Sequence, residues 1–184
     1  MRNRIITATV EEINLRGFKF TMSDLARRLS VSKSSLYEHF PSKDALISSI
    51  LELILHDFHS QEENIYNSTL PLIEKLKAIL TIKPDRFEPF SNRVYEDLRL
   101  SYPEELQKVV QFRQERMSRI ANLLQHGIDT GIIRPIHVSV AQQTIISALN
   151  GLTSYSFLTE NNLTYQNAIA AMIDIIVEGL IVKK

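Results

Sequence analysis

The stretch "TMSDLARRLSVSKSSLYEHFPSK", residues 21–43, decides the fold. Thr21 stands where a hydroxyl accepts the free N–H groups of a helix start, and Asp24, three residues on, supplies the acid of a capping box. Met22, Leu25, Ala26 and Leu29 then form one apolar stripe at helical spacing. The chain turns at Ser30 and Val31, and Ser32 caps another helix. Val31 just before that cap and Leu36 four residues after it have the spacing of a hydrophobic staple, which fixes the angle of entry. Two short helices joined by about three residues at a fixed angle make a helix-turn-helix.

Working outward, Ile6, Val10 and Ile13 predict a preceding helix over Asn3–Arg16, with Gly17 placed for a left-handed stop. On the other side Pro41 ends the third helix and Ser42 caps a fourth, with Lys43 and Asp44 in its first turn. Leu46, Ile47, Ile50, Leu51, Ile54 and Phe58 extend that helix far enough to run from the N-terminal unit into the rest of the chain. Five further helices are expected, over 70–82, 86–101, 103–130, 138–159 and 165–182. Pro103 followed by Glu104 and Glu105 is a good helix start, and Gly131 a good stop. The predicted fold class is all-α, without strands, repeats or low-complexity tracts.

With 184 residues, 44% of them apolar, the chain fills a core without staples. It has no Cys, which excludes disulfides and thiolate metal sites and fits a reducing compartment. Glu11 and Glu12 arrive too early for a signal-peptide core, and no apolar run is long enough to span a bilayer, so the expectation is a cytoplasmic protein without membrane contact. The formal net charge is zero, but its distribution is not even. Arg2, Arg4, Arg16, Lys19, Arg27, Arg28, Lys33 and Lys43 face only Glu11, Glu12, Asp24 and Glu38 in the first 43 residues. A basic N-terminal quarter therefore precedes an acidic remainder.

That asymmetry gives the opening stretch its chemistry. In a helix-turn-helix the third helix enters the major groove leading with its N-terminal residues. The cap Ser32 is counted among the DNA-binding residues, and Lys33, Ser34 and Ser35 behind it are placed for base edges or nearby phosphates, lysine as a donor to guanine and serine to almost any base. Tyr37 and His39 suit the sugar-phosphate backbone, while Leu36 and Phe40 go inward. Lys43 with the N–H groups of the fourth helix, and Thr21 at the start of the second, are expected to hold phosphates. The competing reading is a plain helical hairpin whose serines merely cap and whose lysines are solvated.

The longer run "GFKFTMSDLARRLSVSKSSLYEHFPSKDALISSIL", residues 17–51, resembles the N-terminal domain of the TetR family of bacterial transcriptional regulators. Glycine followed by an aromatic, the capping Thr, "DLA", "VS", "LY", "HF", "SK" and the acid after them fall in that family's order and spacing. The resemblance implies a helix-turn-helix DNA-binding domain over 1–45, joined by a long helix to a larger helical domain over 46–184 that binds an inducer and dimerises. Ser30 stands where the family usually has a turn glycine, which leaves either serine at positive φ or a variant turn. Ser34 likewise replaces a frequent glycine near the start of the recognition helix.

A helix-turn-helix is too small to span two half-sites, so two copies are needed. Ala141, Ile145, Ala148, Leu149 and Leu152, with Ala168, Ile169, Met172, Ile173, Ile176 and Leu180, give the last two long helices wide apolar faces. The resemblance implies that these pair with their copies in a four-helix bundle; the alternative is core packing within one subunit. Tyr95, Tyr102, Phe112, Arg113, Arg116, His126, Asn150 and Tyr155 are candidates for an effector pocket. The alternative for the arginines is surface pairing with Glu96 and Glu115.

The expected function is a ligand-responsive repressor acting as a homodimer on a palindromic double-stranded DNA operator, with a small-molecule effector of unknown identity. The alternatives are control by a protein partner and a helical interaction module without DNA affinity. Enzymatic readings fail: nucleophile elbows, phosphate-binding glycine loops and nucleotide fingerprints are missing from the sequence. His56 and His59, with Asp57 and Glu62 nearby, lack a clear third ligand, so neither metal nor cofactor is expected.

Overall fold

The computed structural model describes residues 1–83, 92–152 and 155–182, without the side chains of Asn92, Arg93, Tyr95, Tyr155 and Ser156. The described residues form ten α-helices and no strand beyond one isolated antiparallel bridge between Ile133 and Ile181. They are α1 (Arg2–Arg16), α2 (Met22–Leu29), α3 (Lys33–Tyr37), α4 (Lys43–Tyr66), α5 (Leu72–Thr81), α6 (Asn92–Ser101), α7 (Pro103–Asp129), α8 (Val138–Leu152), α9 (Tyr155–Glu160) and α10 (Tyr165–Leu180). A 3₁₀ turn, Gly17–Lys19, follows α1.

The all-α expectation holds, with local differences. α3 ends at Tyr37, and the chain then turns as His39 and Phe40 both donate to the Leu36 carbonyl. Phe40 precedes Pro41, whose ring disfavours helical geometry in the residue before it. The stretch expected as one helix over 138–159 contains two, α8 and α9. The start of the helix expected at residue 86 lies outside the described residues.

The chain divides into two compact units, one of residues 1–59 and 83–109, the other of 60–82 and 110–184. The first has two cores. Ile5, Ile6, Val10, Leu25, Leu36, Phe40, Leu46 and Ile50 hold α1–α4 together. Ile13, Phe18, Phe20, Ile47 and Leu51 pack with Val94, Leu98 and Val109 of α6 and α7, and the Phe18 and Tyr102 rings meet edge-on at 5.1 Å. The second unit is built around Leu76, Ile79, Leu80, Ile120, Leu124, Ile145, Ile169, Met172, Ile173 and Val177, from α5, α7, α8 and α10. At its edge Arg134 donates to two carbonyls, its backbone N–H to Leu180 and its Nε to Gly179.

Candidate nucleic-acid interface

The helix-turn-helix is built as its sequence dictates. Thr21 accepts the Asp24 N–H at 3.2 Å while Asp24 accepts the Thr21 N–H at 2.9 Å, a complete capping box. Ser30 closes α2 in the left-handed conformation at φ 55°. Of the two geometries open to a serine there, the structure takes positive φ, and its N–H reaches the α2 carbonyls of Ala26 and Arg27. Val31 and Leu36 both belong to the core beneath, as a staple requires.

α3 then presents its polar side. Leu36 is buried, while Lys33, Ser34 and Tyr37 are exposed and Ser35 and His39 half-buried. Ser32 accepts the Ser35 N–H at 3.1 Å, and its hydroxyl lies 2.8 Å from that of Ser34. The hydroxyl that stands in place of a glycine thus becomes part of the helix cap.

Lys43 and Thr21, both expected at phosphates, have partners within the subunit. Lys43 donates to the Phe18 carbonyl and stands 4.5 Å above the Phe20 ring. Burial draws its pKa below the ordinary lysine value, and the Asp44 carboxylate offsets part of that. The ammonium is therefore tied to the turn after α1, and the start of α4 offers its N–H groups instead, with Ser42 accepting that of Ala45 at 3.0 Å. The Thr21 hydroxyl gives its single proton to Asp24 at 2.7 Å. Asp24, held below the usual carboxylate range by the Thr21 hydroxyl and N–H, sets a negative charge where a phosphate was expected.

A clamp that sequence reasoning missed holds α2 to α1. Arg28 binds Glu12 at 2.6 Å and Glu11 at 2.5 Å, and Glu12, 2% exposed, also takes Arg16 at 3.1 Å. The pairing joins residues of different helices, so no local spacing announces it.

The residues named for a dimer face pack mainly within their own subunit. Ile145, Ala168, Ile169, Met172, Ile173 and Leu180 are buried in the core of their own subunit, and Ala141, Ala148, Leu149, Leu152 and Ile176 pack against that core. The opposite sides of the same helices remain outside. On α8 these are Val140, Thr144 and Ser147; on α10 they are Ala170, Ala171 and Ile175, with Ile175 75% exposed.

The predicted pocket residues are likewise not gathered into one cavity. Tyr102 packs on Phe18 in the first unit, and Arg116 pairs with Glu62 at 2.6 Å in the second. That pairing removes Glu62 from the metal-ligating set considered with His56 and His59. Arg113 and Asn150 are exposed and Phe112 is half-buried, while the side chains of Tyr95 and Tyr155 lie outside the described residues. Only His126 lines the described cavity of the second unit, about 420 Å³, with Glu63, Tyr66, Arg119, Asn122 and Leu123. The positions 119, 122, 123 and 126 follow helical spacing along one side of α7, a signal visible in sequence but common to any amphipathic helix.

No helix among the described residues is long and apolar enough to cross a membrane. Residues 5–50 match the family model for bacterial regulatory proteins of the tetR family. Over 181 residues the chain is 26% identical to an uncharacterized HTH-type transcriptional regulator, YvaF, of Bacillus subtilis strain 168, covering 98% of this chain and 95% of that one. The fold matches that of the ketosteroid transcriptional regulator KstR2 of Mycobacterium tuberculosis, with a TM-score of 0.73 at 19% identity over 99% of this chain and 95% of that one. It also matches PfmR of Thermus thermophilus, a TetR family transcriptional regulator, with a TM-score of 0.72 at 22% identity over 96% and 98%. Capped helices, exposed α3 and these likenesses converge: residues 5–50 form a DNA-binding domain of the kind found in the tetR family of bacterial regulatory proteins, and the chain is similar along its length to transcriptional regulators.

Proposed function

We propose that the protein is a cytoplasmic homodimeric repressor that reads a palindromic operator with α3 and releases it when a small molecule binds the second unit. The observation that carries the reading is the division of α3 itself: Leu36 anchors it while Lys33, Ser34 and Tyr37 stand exposed beside it. Lys33, Ser34 and Ser35 read base edges, Tyr37 and His39 reach the backbone, and Ser32 orders the helix that carries them. The N–H groups at the start of α4 take a phosphate, with Lys43 holding that start in place.

Val140 and Ile175, with Ala170 and Ala171, support a second copy docking on the outer sides of α8 and α10. The cavity of the second unit supports an effector. A ligand that favours the DNA-incompetent state by about 3 kcal/mol weakens operator binding roughly a hundredfold.

Selection and sequencing of genomic fragments bound at near-physiological salt tests the proposal. The expected result is an enriched palindrome whose half-sites lie one helical turn apart or somewhat more. Binding that is weak, salt-sensitive and without sequence preference refutes the operator reading. Sedimentation of the free protein as a monomer at micromolar concentration refutes the dimer.

A further inference from the structure

The cavity of the second unit is rich in hydrogen-bond donors. Arg119, Asn122 and His126 follow one another at successive turns of α7, with Leu123 between them, and face Glu63 and Tyr66 of α4 across the opening. Glu63 takes Arg119 at Nη1, 2.5 Å away, and that leaves a guanidinium with five N–H groups a majority to offer. The guanidinium carbon lies 5.3 Å from the Tyr66 ring centre, so an aromatic face holds it in place. Arg119 and Glu63 are both solvent-accessible, with 36% and 40% of their side chains exposed. Behind them Glu62 and Arg116 neutralise each other at 2.6 Å, so the inner wall adds little net charge.

The inventory of the lining points one way. Asn122 contributes an amide NH₂ and His126 an imidazole, and among the described residues neither side chain makes a hydrogen bond within the subunit. The Tyr66 hydroxyl is buried without a partner, out of a ligand's reach, so Tyr66 offers the cavity its ring. Among the acceptors only Glu63 is charged, and Arg119 occupies it. Leu123 and the Tyr66 ring supply apolar wall. A ligand that complements these groups brings acceptors and a negative charge at one end and a compact apolar body at the other.

We propose that this cavity binds a small amphiphilic carboxylate, its apolar part against Leu123 and the Tyr66 ring and its carboxylate on Arg119 and Asn122. The inference rests on the effector reading above and names the chemistry of that effector. The carboxylate shares the guanidinium with Glu63 or displaces it; a bidentate carboxylate on arginine has the geometry that a single surface contact lacks.

The test is calorimetric titration of the full-length protein, free of DNA, with ω-phenylalkanoates of two to six carbons in the chain, each compared with the alcohol of the same skeleton. The expected result is binding of at least one acid, about tenfold or more tighter than its alcohol. Arg119→Gln should erase that preference while leaving alcohol binding unchanged. Asn122→Trp, at an exposed position where folding tolerates bulk, should obstruct both. Failure of every acid to bind, equal binding of acid and alcohol, or binding that survives both substitutions in variants with unchanged circular dichroism overturns the proposal. Binding of an acid that leaves affinity for the selected operator unchanged supports the site and refutes release by it. An enriched operator without any acid binding refutes the site and leaves the DNA reader standing.

Discussion

Arg28 of α2 binds Glu12 of α1 at 2.6 Å, although the two are sixteen residues apart and Glu12 is sealed to 2% exposure. A carboxylate so placed needs its partner, because an uncompensated buried charge costs more than the pair contributes. Arg28→Met leaves Glu12 with Arg16 alone and should destabilise the chain by about 1–3 kcal/mol, the partial exposure of Arg28 lowering the figure from that of a fully buried pair. Adding Glu12→Leu should restore most of the loss. Urea denaturation of the single and double variants measures this, and a double variant less stable than Arg28→Met would show that the charges themselves hold the two helices.

Gly17 and Ser30 both lie at positive φ, 66° and 55°, and should respond oppositely to exchange. A Cβ on Gly17 would collide with Oδ2 of Asp97, in a backbone conformation that L side chains rarely adopt, so Gly17→Ala should cost about 2 kcal/mol or more. Ser30→Gly relieves the left-handed strain against the greater flexibility of the unfolded chain and should stabilise by about 0.5–1 kcal/mol. Thermal midpoints that move in the same direction for both would contradict this.

Salt dependence separates the two lysines of the reading head. Lys33 is exposed and free to release a counterion, so Lys33→Ala should lower the slope of log affinity against log salt by about 0.9 and alter base preference. Lys43, bound to the Phe18 carbonyl, should change that slope by less than about half a unit when replaced by Met, with loss of stability as the main effect. A full unit of slope lost in the Lys43 variant would mean that its ammonium leaves Phe18 for a phosphate in the complex.

Alkaline unfolding should carry the signature of two tyrosines. Burial pushes the phenols of Tyr66 and Tyr102 from 10.0 up to about 12, with Glu62 adding to the first and Asp44 to the second. Both phenols are neutral in either state below the unfolded value, so that stability is intact there. It declines as pH rises from 10.0 towards about 12, because only the unfolded chain ionises easily in that window. Absorbance titration should show a late-ionising fraction that shrinks in Tyr66→Phe and in Tyr102→Phe. The first of these should also match or exceed the parent in stability at neutral pH, since the hydroxyl it removes has no partner.

The reading head was legible because its signals are local. Caps such as Thr21 and Ser32, the staple of Val31 and Leu36 and the stop at Gly17 act across three to five residues, and each falls at the residue where sequence alone puts it, although Gly17, at φ 66° and ψ −151°, is not in the left-handed helical conformation expected of it. What the sequence did not disclose depends on partners far along the chain. Lys43 looked like a free cation until Phe18 and Phe20 were seen beneath it, and Ile145 and Met172 read equally well as core or as interface until α5 and α7 covered them. An apolar stripe reports that a helix face is covered, and leaves open which molecule covers it.

The sharing of residues between the two units carries a lesson for chimeras. The unit that holds α3 also claims residues 83–109, and Val94, Leu98 and Val109 cover the apolar side of Phe18, Phe20, Ile47 and Leu51. A regulator assembled by splicing the first 59 residues onto a foreign sensor would leave that side wet and sticky. The exchangeable cassette has three ends inside the chain, at residues 59, 83 and 109, and retargeting this protein to a new operator is better done by substitution on α3 than by transplanting its N-terminal segment.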